Sequence, residues 1–241
     1  MKTRLHKLPN AEATTSAADV LPIPLPHQNH RTLRVLIVDD HAIVRGGLKQ
    51  IIADKFPQAT FAEAANVHQA LWQLRNSPWD VMLLDITMPG RSGLDLLREV
   101  RAIQPKVKIL VVTMHPEDQY AMRVLKLGAS GYLTKEKAAN EVIHAVERVL
   151  AGGKYISAAL AEDLVAKLHA PAGRPPHEKL SDREYEIMVL IASGKSVKEI
   201  AADLSLSIKT ISTYRTRLLK KMRFKTNADL IRYAMRERLV D

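Results

Sequence analysis

Four apolar runs in this chain end in groups that can do chemistry. "LRVLIVDD" closes on Asp39 and Asp40, "WDVMLLD" on Asp85, "KVKILVVT" on Thr113 and "SGYLTK" on Lys135. Taken singly, each has an ordinary use. An Asp after a strand caps a helix, a Thr bonds locally, and a Lys near a helix start is solvated. Taken together they are costly. Two carboxylates about 4 Å apart repel by roughly 4 kcal/mol at an effective dielectric of about 20. Three of them need protonation, a neighbouring ammonium or a bound cation. Lys135 offsets one charge. A hard dication such as Mg²⁺, which takes one or two carboxylates, water and a phosphate oxygen, offsets the rest. Such a grouping suits phosphoryl transfer to a carboxylate, with Asp85 as the attacking group.

The elements between these residues decide whether they meet. From residue 33, short β-branched runs alternate with stretches of helical spacing: "HAIVRGGLKQIIADKF", "VHQALWQLRNS", "GLDLLREVRAIQP", "EDQYAMRVLKLGA" and "AANEVIHAVERVLAGG". Five β-α repeats with nearly continuous apolar strands imply a parallel sheet covered on both faces. Such sheets carry function at the carboxyl ends of their strands, so all the groups named above fall on one edge. Residues 31–154 form this unit. Residues 155–178 read as a connector ending in "HAPAGRPPHEK", where Pro and Gly break a helix. Residues 179–241 read as all helix, with capping boxes at Ser181/Glu184 and Ser196/Glu199. Residues 1–30, with "LPIPLP" and no sustained periodicity, read as a disordered extension.

Composition narrows the function. The 241 residues suffice for two ordinary domains, and the formal charge of +10 favours an acidic partner such as nucleic acid. The excess is uneven: residues 31–154 hold 17 basic and 13 acidic side chains, residues 179–241 hold 14 and 8. Residues 209–225 alone carry seven Lys or Arg and no acid. The absence of cysteine excludes disulfides, a thiolate nucleophile and Cys-ligated zinc, and it fits a reducing cytosol. No apolar stretch approaches the ~20 residues that span a bilayer, and no secretory signal opens the sequence. The nine histidines have no metal-ligand spacing and read as scattered surface residues.

"VLIVDDH", "LLDITMPGRSG", "VVTMH" and "GASGYLTK" resemble the CheY-like receiver domain of bacterial two-component response regulators, over about residues 33–151. The resemblance implies a doubly wound, five-stranded parallel sheet of order 2-1-3-4-5. It implies Asp85 as phosphoacceptor, and Asp40 as a direct Mg²⁺ ligand with Asp39 acting beside it through water. The backbone carbonyl of Thr87 completes the metal shell, Thr113 and Lys135 hold phosphoryl oxygens, and Tyr132 is the switch aromatic that follows Thr113.

On a 100° wheel, "SIKTISTYRTRLLKKM" places Ile211, Leu218 and Met222 on one side. Lys209, Ser212, Thr213, Thr216 and Lys220 lie on the other, flanked by Arg217 and Lys221. With "VKEIAADL" and the "SLS" turn before it, this makes a helix-turn-helix pattern. Residues 179–241 resemble the LuxR-type DNA-binding domain, a four-helix module, and the whole chain resembles the NarL/FixJ class. By position, Ser212, Thr213 and Thr216 face the major groove, while Lys209, Arg217, Lys220 and Lys221 contact phosphates. The sequence departs from the family pattern at Ser212, Tyr214 and Arg215, and at Arg223, where glycine is frequent.

The resemblance implies a cytoplasmic transcription regulator phosphorylated by a sensor histidine kinase, not a turnover enzyme. Its partners are double-stranded promoter DNA, a second copy of itself when phosphorylated, and RNA polymerase, with no membrane. Phosphorylation shifts a closed state, its recognition helix masked, towards an open or dimeric one. The alternative is a DNA-binding regulator whose receiver docks proteins without phosphorylation. An aspartyl-phosphate phosphatase would instead carry its nucleophile in a D-x-D motif on the first strand.

Overall fold

The computed structural model describes residues 32–168, 175–237 and 239–240. The expected extension 1–30 lies outside the described residues. Five strands, β1 (Arg34–Val38), β2 (Thr60–Ala64), β3 (Val81–Leu84), β4 (Lys108–Thr113) and β5 (Gly131–Thr134), pair in parallel in the order β2-β1-β3-β4-β5. The helices between them are α1 (Ala42–Lys55), α2 (Val67–Asn76), α3 (Gly93–Ile103), α4 (Glu117–Lys126) and α5 (Lys135–Leu150). The alternation of side chains along each strand divides the core in two. Val35, Ile37, Val81, Leu83, Leu110, Val112 and Leu133 pack under α1 and α5. Leu36, Val38, Met82, Leu84, Ile109, Val111 and Tyr132 pack on the other face, with α2, α3 and α4. β2, at the sheet edge, is the one strand whose residues are largely part-exposed, and its weaker apolar pattern follows from that position.

Register delivers the site. Val38 pairs with Leu84, and Leu84 with Val111. The Asp85 N–H donates to the Val38 carbonyl at 2.8 Å, so Asp39 and Asp85 leave the sheet side by side. Thr113 pairs with Thr134, which sets Lys135 one residue beyond Thr113. Gly93 closes the loop that carries Asp85. A Cβ there would lie 2.3 Å from the Asp85 carbonyl oxygen and 2.6 Å from the Ile86 Cα, so only glycine lets α3 begin against that backbone.

The connector is more structured than its Pro and Gly content suggests. Tyr155 makes a parallel bridge to Gly131 beyond the β5 edge, with Tyr132 N–H to Tyr155 O at 2.9 Å and Tyr155 N–H to Ser130 O at 3.1 Å. A helix, α6 (Ala158–Leu168), follows and lies against α4. The breakers begin only at Pro171, so "AALAEDLVAKL" is free to coil. A short 3-10 turn (Pro176–Lys179) leads into α7 (Asp182–Ala192), α8 (Val197–Asp203), α9 (Ile208–Met222) and α10 (Asn227–Arg236). Both expected capping boxes are present, and Thr226 with Asp229 forms a third at the start of α10.

α9 ends on Arg223, which holds φ 59° and ψ 35°, the left-handed conformation that glycine adopts without cost. Replacing it should therefore help. Arg223→Gly is expected to stabilise the chain by about 1 kcal/mol in urea titration; an unchanged or lower midpoint would mean that the arginine side chain offsets its own backbone strain.

Candidate phosphoryl and DNA-binding sites

The strand ends form one pocket. Lys135, the first residue of α5, places its Nζ 2.6 Å from Asp39 Oδ2 and 2.7 Å from Asp85 Oδ2. Both carboxylates are buried, at 2% and 3% exposure. One ammonium thus serves two acids, and one negative charge remains among the three groups before Asp40 is counted. Burial raises the Asp85 pKa above the ordinary carboxylate value, while the Lys135 charge and the Thr87 N–H (3.0 Å to Asp85 Oδ1) pull it back. Burial works against the Lys135 charge, but Asp85 and Asp39 outweigh it, so the pKa is raised and the ammonium is held. Asp40 is half-buried beside them.

Asp39, Asp40, His41 and Asp85 each offer a ligand atom within 4.8 Å of the others. A carboxylate-rich donor set of this size fits a hard dication. His41 is a member that spacing along the sequence did not reveal. Its main-chain N–H donates to Asp39 Oδ1 at 2.8 Å, and its Nδ1 lies 3.0 Å from Asp40 Oδ1. Thr113 is fully buried, and its hydroxyl makes no hydrogen bond among the described residues. An unsatisfied hydroxyl at the end of β4, the strand that neighbours β3, fits a donor waiting for an anionic oxygen.

Thr87 and Tyr132 meet at His115, the last residue of "VVTMH", to which the sequence reading gave no role. Thr87 Oγ1 lies 2.7 Å from His115 Nε2. The Tyr132 hydroxyl donates to the His115 carbonyl at 2.9 Å, with the Pro116 carbonyl 3.3 Å away. Tyr132 is buried, its ring turned inward, and burial lifts its pKa far above the usual phenol range. Burial also lowers the His115 pKa, aided by the nearby Lys195 and Lys135 charges and opposed by Gln119.

On α9, Ile211, Leu218, Leu219 and Met222 are buried. Lys209, Ser212, Thr213, Thr216, Arg217 and Lys220 all lie exposed. Thr213 and Thr216 donate their hydroxyls to the carbonyls of Lys209 and Ser212, at 2.9 and 3.0 Å, leaving lone pairs outward. Lys221 differs from expectation. It turns to the scaffold and pairs with Glu184 at 2.6 Å. Arg215 is part-buried because it bonds Asn227 Oδ1 at 2.7 Å, which ties α9 to the start of α10. Ile208 is exposed at the first turn of α9, an apolar group that the wheel reading did not include.

The expected masking of this helix by the receiver is not what the structure contains. The receiver docks on α7 instead. Arg123 of α4 donates from Nε to Asp182 Oδ1 at 2.7 Å and from an Nη to the Leu180 carbonyl at 2.7 Å, and its guanidinium sits 4.6 Å over the Tyr185 ring. Arg98 reaches the other Asp182 oxygen at 3.1 Å. Tyr120 and Tyr185 meet edge to face with centroids 5.4 Å apart. The Tyr185 hydroxyl donates to the Gln119 carbonyl. Gly90, in the loop after Asp85, donates to the Leu204 carbonyl at 3.1 Å and accepts from Arg183 at 2.7 Å.

Known proteins share both halves. A model of the response regulator receiver domain matches residues 35–147, and one of the luxR family of bacterial regulatory proteins matches residues 178–234. The chain belongs to the two-component response regulators that join a receiver to a LuxR-type helix-turn-helix domain. Within that class it is a DNA-binding regulator of the GacA, UvrY and RcsB type. The response regulator GacA of Pseudomonas protegens is 37% identical over 209 residues, covering 87% of this chain and 98% of that protein. UvrY of Escherichia coli is 35% identical over 208 residues, covering 86% and 95%. The structure of RcsB from Salmonella enterica serovar Typhimurium, bound to promoter rprA in the presence of phosphomimetic BeF3⁻, is 26% identical. It aligns with a TM-score of 0.57 over 84% of this chain and 98% of that one.

The shared ammonium has a measurable consequence. Lys135→Met leaves Asp39 and Asp85 buried without a counter-charge and should cost roughly 3 kcal/mol at neutral pH. Asp85 already titrates above its unfolded value, and the substitution lifts it further. Stability is then present at low pH and lost as pH rises through the raised folded pKa. The deficit against wild type should narrow as pH falls from 7 to 5 in thermal unfolding; a deficit independent of pH would assign the loss to packing.

Proposed function

We propose that this regulator is switched by phosphorylation of Asp85. A sensor histidine kinase supplies the group. An Asp85 carboxylate oxygen attacks the phosphorus of a phosphohistidine, the P–O bond forms as the P–N bond breaks, and the imidazole leaves. Mg²⁺, held by Asp39, Asp40, Asp85 and the Thr87 carbonyl, would supply charge neutralisation for the phosphoryl oxygens. Lys135 keeps its ammonium beside the reacting carboxylate, where it can follow the transferred negative charge. Thr113 offers the second donor. What carries this reading is the Lys135 ammonium bridging two buried acids at converging strand ends, with an unpartnered buried hydroxyl at the end of the neighbouring strand β4.

Tyr132 stands to report the change, because its hydroxyl is anchored on the loop that follows Thr113. The output is promoter DNA. Ser212, Thr213 and Thr216 would meet base edges, with Ile208 against a thymine methyl. Lys209, Arg217 and Lys220 would hold phosphates, joined by Lys221 once it leaves Glu184. Binding as a dimer to two half-sites fits the helix-turn-helix geometry, and RcsB in its promoter complex supports the DNA-bound end state by analogy. Among the described residues no helix is long and apolar enough to cross a membrane, in keeping with a cytoplasmic setting. Residues 31–154 would act as receiver, 155–178 as connector and 179–241 as DNA reader.

A small-molecule phosphodonor tests the first half. Wild type should gain an acid-labile phosphoryl group in the presence of Mg²⁺ and lose that capacity with EDTA, while Asp85→Ala stays unlabelled and folded. Label retained by Asp85→Ala would move the acceptor elsewhere. For the second half, Lys220→Ala should weaken binding to all duplexes alike and reduce the salt slope by about one. A changed sequence preference in that variant would place Lys220 on a base instead.

A further inference from the structure

We infer that His41 is a ligand of the ion held by Asp39, Asp40 and Asp85, and that its nitrogen makes the pocket prefer a first-row transition dication such as Mn²⁺ to Mg²⁺. This rests on the reading of Asp85 as a metal-assisted phosphoacceptor and adds which ion that site selects.

The helix that His41 begins does not explain it. His41 stands at the N-cap of α1, and its side chain makes no bond to the first turn. Ser, Thr, Asp or Asn there would satisfy one of the open N–H groups. The ring turns back instead, towards the strand ends. Nδ1 lies 3.2 Å from Asp39 Oδ1 and 3.0 Å from Asp40 Oδ1. The first approach is within hydrogen-bonding reach. The second is not a hydrogen bond: Asp40 Oδ1 is buried and has no hydrogen-bond partner among the described residues. A surface histidine held by Asp39 alone would leave that oxygen unexplained.

The spacing has a chemical meaning. Two neighbouring donors of an octahedral ion, each about 2.1 Å from it, stand roughly 3 Å apart. Nδ1 keeps close to that separation from one oxygen of each adjoining acid. With Asp85 they make a set whose donor atoms all lie within 4.8 Å of one another. His41 is exposed whereas Asp39 and Asp85 are buried, so the nitrogen stands on the solvent side of the set.

Selectivity follows from the donor type. Three carboxylates against the one Lys135 ammonium leave two negative charges, which any dication neutralises. Charge therefore does not discriminate between ions. Mg²⁺ favours oxygen and gives up water reluctantly, so it gains little from a nitrogen. Mn²⁺ accepts carboxylate, carbonyl and water as Mg²⁺ does, and it opens the series of transition ions that imidazole suits. Oxygens joined by one imidazole keep Mg²⁺ usable and add a preference for its transition-metal counterparts.

The test uses the full chain, stripped of metal with EDTA and then freed of the chelator, with Mn²⁺ and Mg²⁺ as the probes. Electron paramagnetic resonance of free Mn²⁺ gives its affinity by titration, and displacement by Mg²⁺ gives the other. Wild type should bind Mn²⁺ about tenfold or more tighter than Mg²⁺. His41→Ala should lose that factor through weaker Mn²⁺ binding, with Mg²⁺ affinity nearly unchanged. His41→Asn supplies an oxygen and a good helix cap, so it should fold at least as stably, hold Mg²⁺ and still lack the preference. Pulsed resonance of the bound Mn²⁺ should show a directly coordinated nitrogen in wild type, shifted by isotopic labelling of histidine, and none in either variant. Bound Mn²⁺ with no nitrogen signal, or with one that survives in His41→Ala, would overturn the role of His41 and leave Asp85 as acceptor. An unchanged preference in both variants would do the same. No uptake of either ion by wild type would defeat the metal-assisted reading and this inference together.

Discussion

A single ammonium shared between two dehydrated carboxylates is the constraint around which the receiver half is arranged. Lys135 can bridge Asp39 and Asp85 only if β1, β3 and β5 end level with one another. A slip of one residue in a parallel strand would turn its whole apolar set to the other face of the sheet. Core and pocket are therefore specified by the same register. The two hydrophobic layers fix which way each strand faces, and the ion pairs reward the one alignment that brings all three ends together. Gly93 serves the same end, since any side chain there would push the Asp85 backbone out of line.

The second half depends on the first through unusually well-buried charge. Asp182 and Glu186 are 1% and 3% exposed, and Arg183, at 8%, pairs with Glu186 at 2.6 Å. Burying such groups costs several kcal/mol per ion, which the pairing offsets only when geometry is good. Burial raises the Glu186 pKa despite the Arg183 charge beside it, and its Oε1 makes no hydrogen bond among the described residues. An interface with part of its polar demand unmet is orientation-specific yet close to energetic balance.

Much of this was legible in the sequence, for definable reasons. Apart from the edge strand β2, the strands were clear because they are buried on both faces and read as nearly unbroken apolar runs. Their terminal Asp, Thr and Lys were conspicuous by contrast. The α9 stripe was clear because one side of that helix is free. α6 was missed because the Pro and Gly after residue 170 dominated the reading of a connector whose first half is a good helix former. The docking surface was hidden for the opposite reason. Asp182 and Arg183 look like the solvated first turn of a capped helix, yet Arg98, Arg123 and Gly90 of the receiver meet them there. His41 and His115 carry no spacing signal; His41 bonds its neighbours Asp39 and Asp40, while His115 takes Thr87 from the loop after β3 and Tyr132 from β5. Lys221 faced DNA on the wheel, yet the wheel could not register a carboxylate waiting on α7.

The open face of α9 has a consequence for how such a molecule works. With its short hydroxyls and basic side chains already outward while the two halves remain docked, the chain can sample genomic duplex continuously, hopping and sliding by charge attraction alone. Under the proposed switch, phosphorylation would have no need to uncover this face; it would act on how many copies stop together, and for how long, at a site.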